Sequence, residues 1–265
     1  MSYISPNLTL LISAVKKAAN ALNRDFSEIE RLQSSVKNHK EFVVSAYGKT
    51  ERALRAELGK IRPDYAVITD NTSAKGSCFL VAPIDGLSNF AHGVPHFAVS
   101  VAVCENNVIT SAVVYNPAND ELFFAEKGKG AYKEGFRNHE RLRVSSRKDL
   151  SDALVATQVN YKKELGDYLA LHNKIVAAAD NVRVLGAVSL DLAYVASGKF
   201  DAAISLANLL NSFAAGILLV KEAGGYIFDI NQKDVRSENL SEVMDSGNLV
   251  AVNSELSKRV FEILK

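Results

Sequence analysis

The residues best suited to chemistry lie where a buried strand gives way to a turn and a polar stretch. This segment reads Ala82-Pro83-Ile84-Asp85-Gly86-Leu87-Ser88-Asn89-Phe90. Asp-Gly is a turn-forming pair, and the polar residues after it can open a helix. Free backbone N–H groups at a helix start can bind a phosphate group. An Asp-Gly pair after a strand is more often only a turn, so this segment alone does not establish a site.

A second segment combines small residues with a glycine stop. Ala214-Ala215-Gly216 is followed, after a short apolar run, by Glu222-Ala223-Gly224-Gly225. Small residues on a helix face allow close packing, and glycine commonly ends a helix. Taken alone, this segment is explained by a packed helix that needs no chemistry.

In their order and spacing, the two segments resemble the motifs of the inositol monophosphatase family. The first family motif is Asp-Pro-Ile/Leu-Asp-Gly-Thr-x-Asn-Phe, and the second is Trp-Asp-x-Ala-Ala-Gly followed by Glu-Ala-Gly-Gly. Similar matches extend over nearly the whole chain, at residues 92–100, 114–117, 120–122, 128–131, 185–186, 190–198 and 201. The chain resembles the bacterial SuhB-type branch in particular.

The resemblance implies a fold, a reaction and partners. The fold is a layered αβαβα sandwich of the α/β (α+β) class with mixed sheets, like that of fructose-bisphosphatase, usually in a homodimer. Family members hydrolyse small phosphomonoesters with several magnesium ions. Clustered Asp and Glu side chains are required because Mg²⁺ prefers an octahedral shell of oxygen ligands. SuhB-type proteins are associated with the transcription machinery and ribosomal RNA synthesis, which implies a protein partner.

Carried over position by position, the resemblance leaves few of the family's carboxylates. The positions of three family aspartates are occupied by Tyr47, Ala82 and Ser212. Leu87 stands in place of the threonine that helps to orient the attacking water. The family's Glu-Glu pair falls on Asp70, which keeps a charge on a shorter side chain, and Asn71, which offers a neutral carbonyl. None of these catalytic positions keeps the family residue.

One aspartate of the central motif remains, as Asp85. The candidate metal ligands are Asp85, Asp70 and the backbone carbonyl of Ile84. The resemblance also implies positions that contact phosphate or substrate, and these are Asp85, Gly86, Leu87, Ser88, Gly186, Ala187, Val188 and Ser205. Lys37 matches the basic residue that lies near the site in the family.

Physical chemistry favours an impaired site. One or two carboxylates hold Mg²⁺ mainly when a substrate phosphate supplies further ligands. Loss of acidic side chains also removes the charge repulsion that metals relieve, so a metal-free site can be stable. We therefore expect weak or no magnesium binding in a protein kept for binding. Two alternatives are a magnesium-dependent phosphomonoesterase acting on inositol-1-phosphate or a similar ester, and a module that binds a small phosphate or another anion.

Composition excludes several other classes of protein. The chain has 265 residues, 48% of them hydrophobic, which is enough for a substantial core. The formal net charge of +1 gives no bulk field that would favour nucleic acid or an acidic membrane surface. We see no signal peptide and no apolar run approaching the roughly 20 residues of a membrane span. We expect a soluble, cytoplasmic protein in which Cys78 and Cys104 are buried and reduced.

Helices and strands must bring these positions together. Apolar spacing predicts a first helix capped by Ser5, and later helices at 49–60, 163–179, 189–197, 212–223 and 254–264. Short apolar runs predict strands at 65–69, 77–82, 97–104, 108–115, 121–125, 200–205, 226–230 and 249–253. Interleaved elements with a block of hairpins indicate the α/β or α+β class. We expect one domain of two lobes, about 1–147 and 148–265, with a surface loop at 231–245.

Overall fold

Five layers of helices and sheets make up the described part of the chain. The computed structural model describes residues 4–32, 39–70, 76–159, 165–230 and 247–264. Two helices pack on a seven-stranded sheet, two pack between that sheet and a five-stranded sheet, and two cover the far side of the second sheet. The predicted αβαβα sandwich with mixed sheets is confirmed.

The first half of the chain forms the larger sheet and the helices on its outer face. Its elements are α1 (Pro6–Leu32), α2 (His39–Ile61), β1 (Ala66–Ile68), β2 (Cys78–Asp85), α3 (Leu87–Ala91), β3 (Ala98–Glu105), β4 (Val108–Asn116), β5 (Glu121–Glu126), β6 (Gly130–Lys133) and β7 (Glu140–Arg141). The strands lie in sequence order. The first pair is parallel and every later pair is antiparallel.

The second half forms the smaller sheet and the other helices. Its elements are β8 (Leu154–Val159), α4 (Leu165–Ala178), β9 (Asn181–Arg183), α5 (Val188–Ala196), β10 (Ala202–Leu206), α6 (Leu210–Glu222), β11 (Tyr226–Phe228), β12 (Leu249–Val252) and α7 (Ser254–Leu264). The strand order is β11-β12-β10-β8-β9, with β8 parallel to both of its neighbours. Helices α5 and α6 fill the space between the two sheets.

The sequence signals of α1 act as predicted. The Ser5 hydroxyl accepts a hydrogen bond from the Leu8 amide at 3.2 Å, and Pro6 occupies the first helical position. The apolar face buries Leu11 and Leu22 against the first sheet. The predicted start of the second helix is wrong, because α2 begins at His39 and not near residue 49. Tyr47 therefore lies within a helix and not in the segment before it.

Four strands were not predicted. β6, β7 and β9 have two to four residues, and β7 and β9 lie at sheet edges, so they lack the apolar runs of buried strands. β8 is longer and takes its parallel partners from β9 and β10, which follow it in the chain. Its pairing depends on contacts that local spacing does not reveal.

A β-bulge sets the direction of Asp85. Ala82 pairs with Ser100, but Asp85 pairs with Ala98, so β2 contains one more residue than β3 between these pairs. Pro83 lies in the bulge, where its missing N–H group removes no regular ladder hydrogen bond. The bulge re-aims the end of β2 at the site.

The second motif has a packing role. A Cβ atom on Gly216 would lie 2.5 Å from the Cβ of Leu192, so glycine lets α6 approach α5 closely. At the end of α6, the Glu222 carboxylate accepts hydrogen bonds of 2.7 Å from the amides of Gly128 and Gly130. The motif therefore joins α6 to its neighbouring helix and to the β5–β6 turn.

Some predictions fall outside the described residues, namely those on Lys37, on Asn71 and on the loop 231–245. The change of sheet falls between β7 and β8, and the division into two lobes near residue 147 stays a prediction. Cys78 and Cys104 are buried and unbridged, as predicted, and lie directly opposite each other on β2 and β3. Among the described residues, no helix is both long and apolar enough to cross a membrane.

Candidate functional site

Asp85 lies at the centre of the candidate site and is only 8% exposed. Its Oδ2 atom accepts a hydrogen bond of 2.7 Å from the Ser189 amide and one of 2.6 Å from the Ser189 hydroxyl. Burial raises the pKa of Asp85 to about 6, although the bonds from Ser189 and interactions with Ser212 and the Gly86 amide oppose the rise. The carboxylate faces the first turn of α5, where helix N–H groups favour negative charge.

A second buried carboxyl, Asp191, lies on α5, the helix that also carries Ser189. Its side chain is 1% exposed, and neither oxygen has a hydrogen-bond partner within the described ranges. Burial, and then the negative charge of Asp85, raise the pKa of Asp191 well above its usual range. Each of the two carboxyl groups therefore keeps its proton to a higher pH than a free aspartate does.

The turn after Asp85 requires glycine. Gly86 has a φ of 81°, and an added Cβ would lie 2.9 Å from the His96 carbonyl oxygen and 3.0 Å from the Ala187 side chain. The first hydrogen bond of α3 runs from the Phe90 amide to the Gly86 carbonyl. The amides of residues 87–89 are thus not used within α3.

Asn89 fastens this turn to the loop before α5. Its Nδ2 group donates to the His96 carbonyl at 2.7 Å and to the Leu185 carbonyl at 2.6 Å. Gly186, which follows with a φ of 78°, packs against the same amide. The structure therefore brings together the helix start and the 186–188 loop that the sequence predicts.

The start of α6 forms another wall of the site. Asn211 occupies the position of the family tryptophan, and its Nδ2 group donates to the carbonyls of Thr69 at 3.0 Å and Val81 at 2.8 Å. This amide joins α6 to the ends of β1 and β2. Ser212 follows it and interacts with the Asp85 carboxylate.

Tyr47 lies beside a charged network on α2. Burial raises the pKa of its phenol, as do the negative charges of Glu51 and Asp70, while Arg55 acts in the opposite direction. The Arg55 guanidinium donates to Glu51 at 2.7 Å and to the Val67 carbonyl at 2.7 Å. The phenol is therefore neutral at pH 7, and a guanidinium supplies positive charge close to it.

The other predicted contact positions differ in accessibility. Leu87 and Ser88 are exposed, whereas Ala187 and Val188 are buried in the core between the sheets. Ser205 is buried on β10, and its hydroxyl accepts a hydrogen bond from Asn208 at 2.8 Å. Ile84 is buried on β2 beside Asp85. Asp70 is exposed, and its charge acts on Tyr47.

The side chains at the predicted metal-ligand positions do not fit a site for several magnesium ions. The positions that match the family's metal ligands carry a methyl group at Ala82, a hydroxyl at Ser212 and a neutral phenol at Tyr47. No group of three or more His, Cys, Asp or Glu side chains that could hold a metal occurs in the described part of the chain. An octahedral Mg²⁺ shell needs more oxygen ligands of high charge than this set provides.

Comparison with known proteins identifies the family. The sequence profile of the inositol monophosphatase family matches residues 4–264. The chain belongs to the inositol monophosphatase family. Members of this family are generally magnesium-dependent.

Individual relatives refine the assignment within the inositol monophosphatase family. A Rhizobium meliloti protein named inositol-1-monophosphatase is 39% identical, over 97% of this chain and 96% of its own length. The Nus factor SuhB of Pseudomonas aeruginosa is 33% identical, over 99% of this chain and 97% of its own length. The crystal structure of the extragenic suppressor protein suhB from Bartonella henselae has a TM-score of 0.84 at 33% identity, and the match covers 98% and 99% of the two chains. The chain therefore lies in the SuhB-like branch.

Sequence reasoning missed three residues of the site. Ser189 was assigned only to a helix, and Asp191 and Asn89 only to motifs. A serine in the first turn of α5, next to the 186–188 loop, is the signal that could have identified the partner of Asp85. The acceptors of Asn89 and the position of Asp191 depend on how α5 packs, which no local pattern reveals.

Proposed function

We propose that this protein is a SuhB-like member of the inositol monophosphatase family that binds partners and has little or no phosphatase activity. One observation carries the proposal. The carboxylate retained in the central motif, Asp85, is buried and hydrogen-bonded to Ser189. Among the described residues it belongs to no group of three or more His, Cys, Asp or Glu side chains that could hold a metal.

The expected loss of activity follows from the chemistry of the substituted positions. Metal-assisted hydrolysis needs ions that activate water and stabilise the attacking and leaving oxygens. Ala82 cannot ligate an ion, and Leu87 cannot orient a water molecule. Removal of one charge-stabilising group typically lowers a rate by roughly 100-fold or more, and such losses are not additive. Several absent groups leave hydrolysis near the uncatalysed rate.

A phosphatase assay tests the proposal. Inositol-1-phosphate and similar esters are supplied to the natural chain over a range of magnesium concentrations, beside a no-enzyme control and Asp85→Asn. We expect the three rates to be equal. Magnesium-dependent turnover by the natural chain that Asp85→Asn abolishes would contradict the proposal.

A protein partner in the transcription machinery is the binding role that the relatives support. Several relatives bear the name Nus factor SuhB, and the chain spans nearly their full length. We propose a homodimer that binds such a partner. Sedimentation at micromolar concentration tests the dimer, and a clean monomer of 28.8 kDa would contradict it. Affinity capture from a cell extract, with mass spectrometry, tests the partner.

A magnesium-dependent phosphomonoesterase is the second candidate. The 39% identity to a protein named inositol-1-monophosphatase favours it. In this case Asp85, Asp70 and the Ile84 carbonyl would hold an ion that the substrate phosphate helps to complete. The assay above separates the two candidates.

The α3 start is also proposed to bind a small anion weakly. The amides of residues 87–89 are not used within that helix, and Leu87 and Ser88 are exposed. Affinity is expected to be low because the family positions at Tyr47, Ala82 and Ser212 carry no carboxylate that would bring a cation to the anion. Phosphate soaked into crystals tests this site, and its absence near residues 86–89 at high concentration would exclude it.

A further inference from the structure

A cavity of about 270 Å³ lies between the first turn of α1, the end of α2 and the middle of the first sheet. Its floor is a row of residues that face one another across four adjacent strands. Phe79 on β2 pairs with Val103 on β3. Val103 pairs with Ser111 on β4, and Ser111 pairs with Glu126 on β5. Neighbouring strands are about 4.8 Å apart, so the row extends for about 14 Å.

The row changes from apolar to charged along its length. Phe79 and Val103 form the apolar end, where Leu11 and Ile61 from the two helices also line the cavity. Ser111 offers a hydroxyl and Glu126 a carboxylate at the other end. A ligand that fits this row has an apolar body and a polar head at one end.

The polar end contains both an acceptor and a cation. The Oε1 atom of Glu126 binds Lys129 at 2.7 Å, while its Oε2 atom is buried and lacks a partner within the described ranges. Lys127 also lines the cavity, and its side chain makes no ion pair with any residue that the structure describes. The head group of a matching ligand therefore carries a donor for Glu126 and an anionic group for Lys127.

The apolar end has a charge pair of its own. The Arg62 guanidinium lies 4.0 Å from the Glu105 carboxylate, which also accepts a hydrogen bond of 2.7 Å from the Tyr65 hydroxyl. These two charges offset each other. Within the lining the charges of Glu126 and Lys127 also sum to zero, and Glu126 pairs in addition with Lys129 outside the lining. The formal charge of the lining is zero, which favours a ligand without net charge over a simple amine or a simple carboxylate.

We propose that this cavity binds a neutral α-amino acid with an apolar side chain. The ammonium group donates to Glu126, the carboxylate contacts Lys127, and the side chain covers Phe79 and Val103. Phe79 precedes Asp85 on β2 by six residues, or about 20 Å, so this site is separate from the candidate site around Asp85.

Calorimetry on the full-length chain tests the proposal with four probes. L-leucine and L-phenylalanine carry both head groups, 3-methylbutylamine carries only the amine, and 4-methylpentanoate carries only the carboxylate. We expect saturable binding of at least one amino acid and much weaker binding of the two truncated probes. Failure of both amino acids to bind, or equal binding of either truncated probe, overturns the proposal.

Two variants locate the binding. Glu126→Gln and Lys127→Ala each remove one charged contact and are expected to weaken binding by about tenfold or more. The matched controls are Glu140→Gln on β7 and Lys258→Ala on α7, which lie outside the cavity and are expected to bind as the parent does. Because Lys127 is exposed, its variant keeps the test valid if Glu126→Gln does not fold. Unchanged affinity in Lys127→Ala overturns the assignment.

Discussion

The carboxylate of Asp85 accepts hydrogen bonds from both the amide and the hydroxyl of Ser189, a residue 104 positions further along the chain. The contact joins the turn after β2 to the first turn of α5. It places a negative charge where the helix N–H groups favour one. Asp85 therefore has a structural role that does not depend on catalysis.

The first prediction concerns the hydroxyl of this contact. Ser189→Ala removes one donor from a buried carboxylate and is expected to lower the free energy of unfolding by roughly 1–3 kcal/mol. Urea unfolding followed by circular dichroism measures the change. The control is Ser27→Ala, which removes an exposed hydroxyl from α1 and is expected to change stability by about 0.5 kcal/mol or less. Equal stability of the two variants would show that the contact contributes nothing.

The second prediction concerns pH. The pKa values of Asp85, about 6, and of Asp191 are raised in the folded state, so the folded chain holds these protons more tightly than the unfolded chain. The contribution of these two groups to the free energy of unfolding is therefore fully present below about pH 4 and falls as pH rises through about 6 and beyond. The urea midpoint is expected to be higher at pH 5 than at pH 7.5.

Substitution of Asp191 isolates this effect. Asp191→Asn is expected to be more stable than the parent at pH 7.5 and to have a flatter pH profile. The exposed acid Asp64 provides the control, since Asp64→Asn is expected to keep the slope of the parent. Below about pH 4.5 the lowered pKa of Glu121 acts in the opposite direction, so the comparison uses pH 5 to 8. Burial lowers the pKa of His96, which acts in the opposite direction over this range, so the test is the difference in free energy of unfolding between the parent and Asp191→Asn. A difference that does not fall as pH rises would contradict the assignment.

The third prediction compares two glycines with left-handed backbones. Gly86→Ala combines a φ of 81° with a Cβ only 2.9 Å from the His96 carbonyl oxygen. Gly224→Ala has a φ of 87° and no atom within 4 Å of its Cβ. The free energy of unfolding of the Gly224 variant is expected to fall by about 1–2 kcal/mol because of backbone strain alone. The Gly86 variant is expected to lose more free energy of unfolding, as measured by urea unfolding. A loss no greater than that of Gly224→Ala would contradict the predicted clash with the His96 carbonyl.

The fourth prediction concerns restoration of activity. A multiple variant replaces the altered positions with the family residues and combines Tyr47→Asp, Asn71→Glu, Ala82→Asp, Leu87→Thr and Ser212→Asp. It is expected to gain magnesium-dependent phosphatase activity because the family's metal-binding carboxylates and its water-orienting threonine are then present beside the retained Asp85. Single substitutions are expected to do little, since each ligand needs the others. Asp70→Glu can be added to this multiple variant to restore the longer side chain of the family glutamate.

The control for this multiple variant is the same set of substitutions with Asp85→Asn, which is expected to be inactive. If the restored chain folds, shown by an unchanged circular dichroism spectrum, and still lacks activity at high magnesium, the substituted side chains are not the cause of the proposed loss.

Long periodic elements and the order of layers could be predicted from sequence because local spacing and the motif match carry that information. The apolar face of α1 and the Ser5 cap are examples. The strand β8 could not, since it is defined by its pairing with β9 and β10, which follow it in the chain. In the site, Asp85 was predicted as a metal ligand, but its contact with Ser189 requires the packing of α5 against the first sheet.

The tight approach of Gly86 to the His96 carbonyl has a consequence for how such chains are classified. The Asp-Gly pair makes the turn and contacts α5, so a chain in which several of the family's metal-ligand positions have changed still gains stability from both residues. Sequence searches that rely on this pair therefore identify the fold, and the pair alone does not indicate phosphatase activity. A genome survey that identifies enzymes by the Asp-Gly pair also counts family members whose metal-ligand positions have changed. Telling these two kinds of protein apart requires inspection of positions 47, 82, 87 and 212 as well.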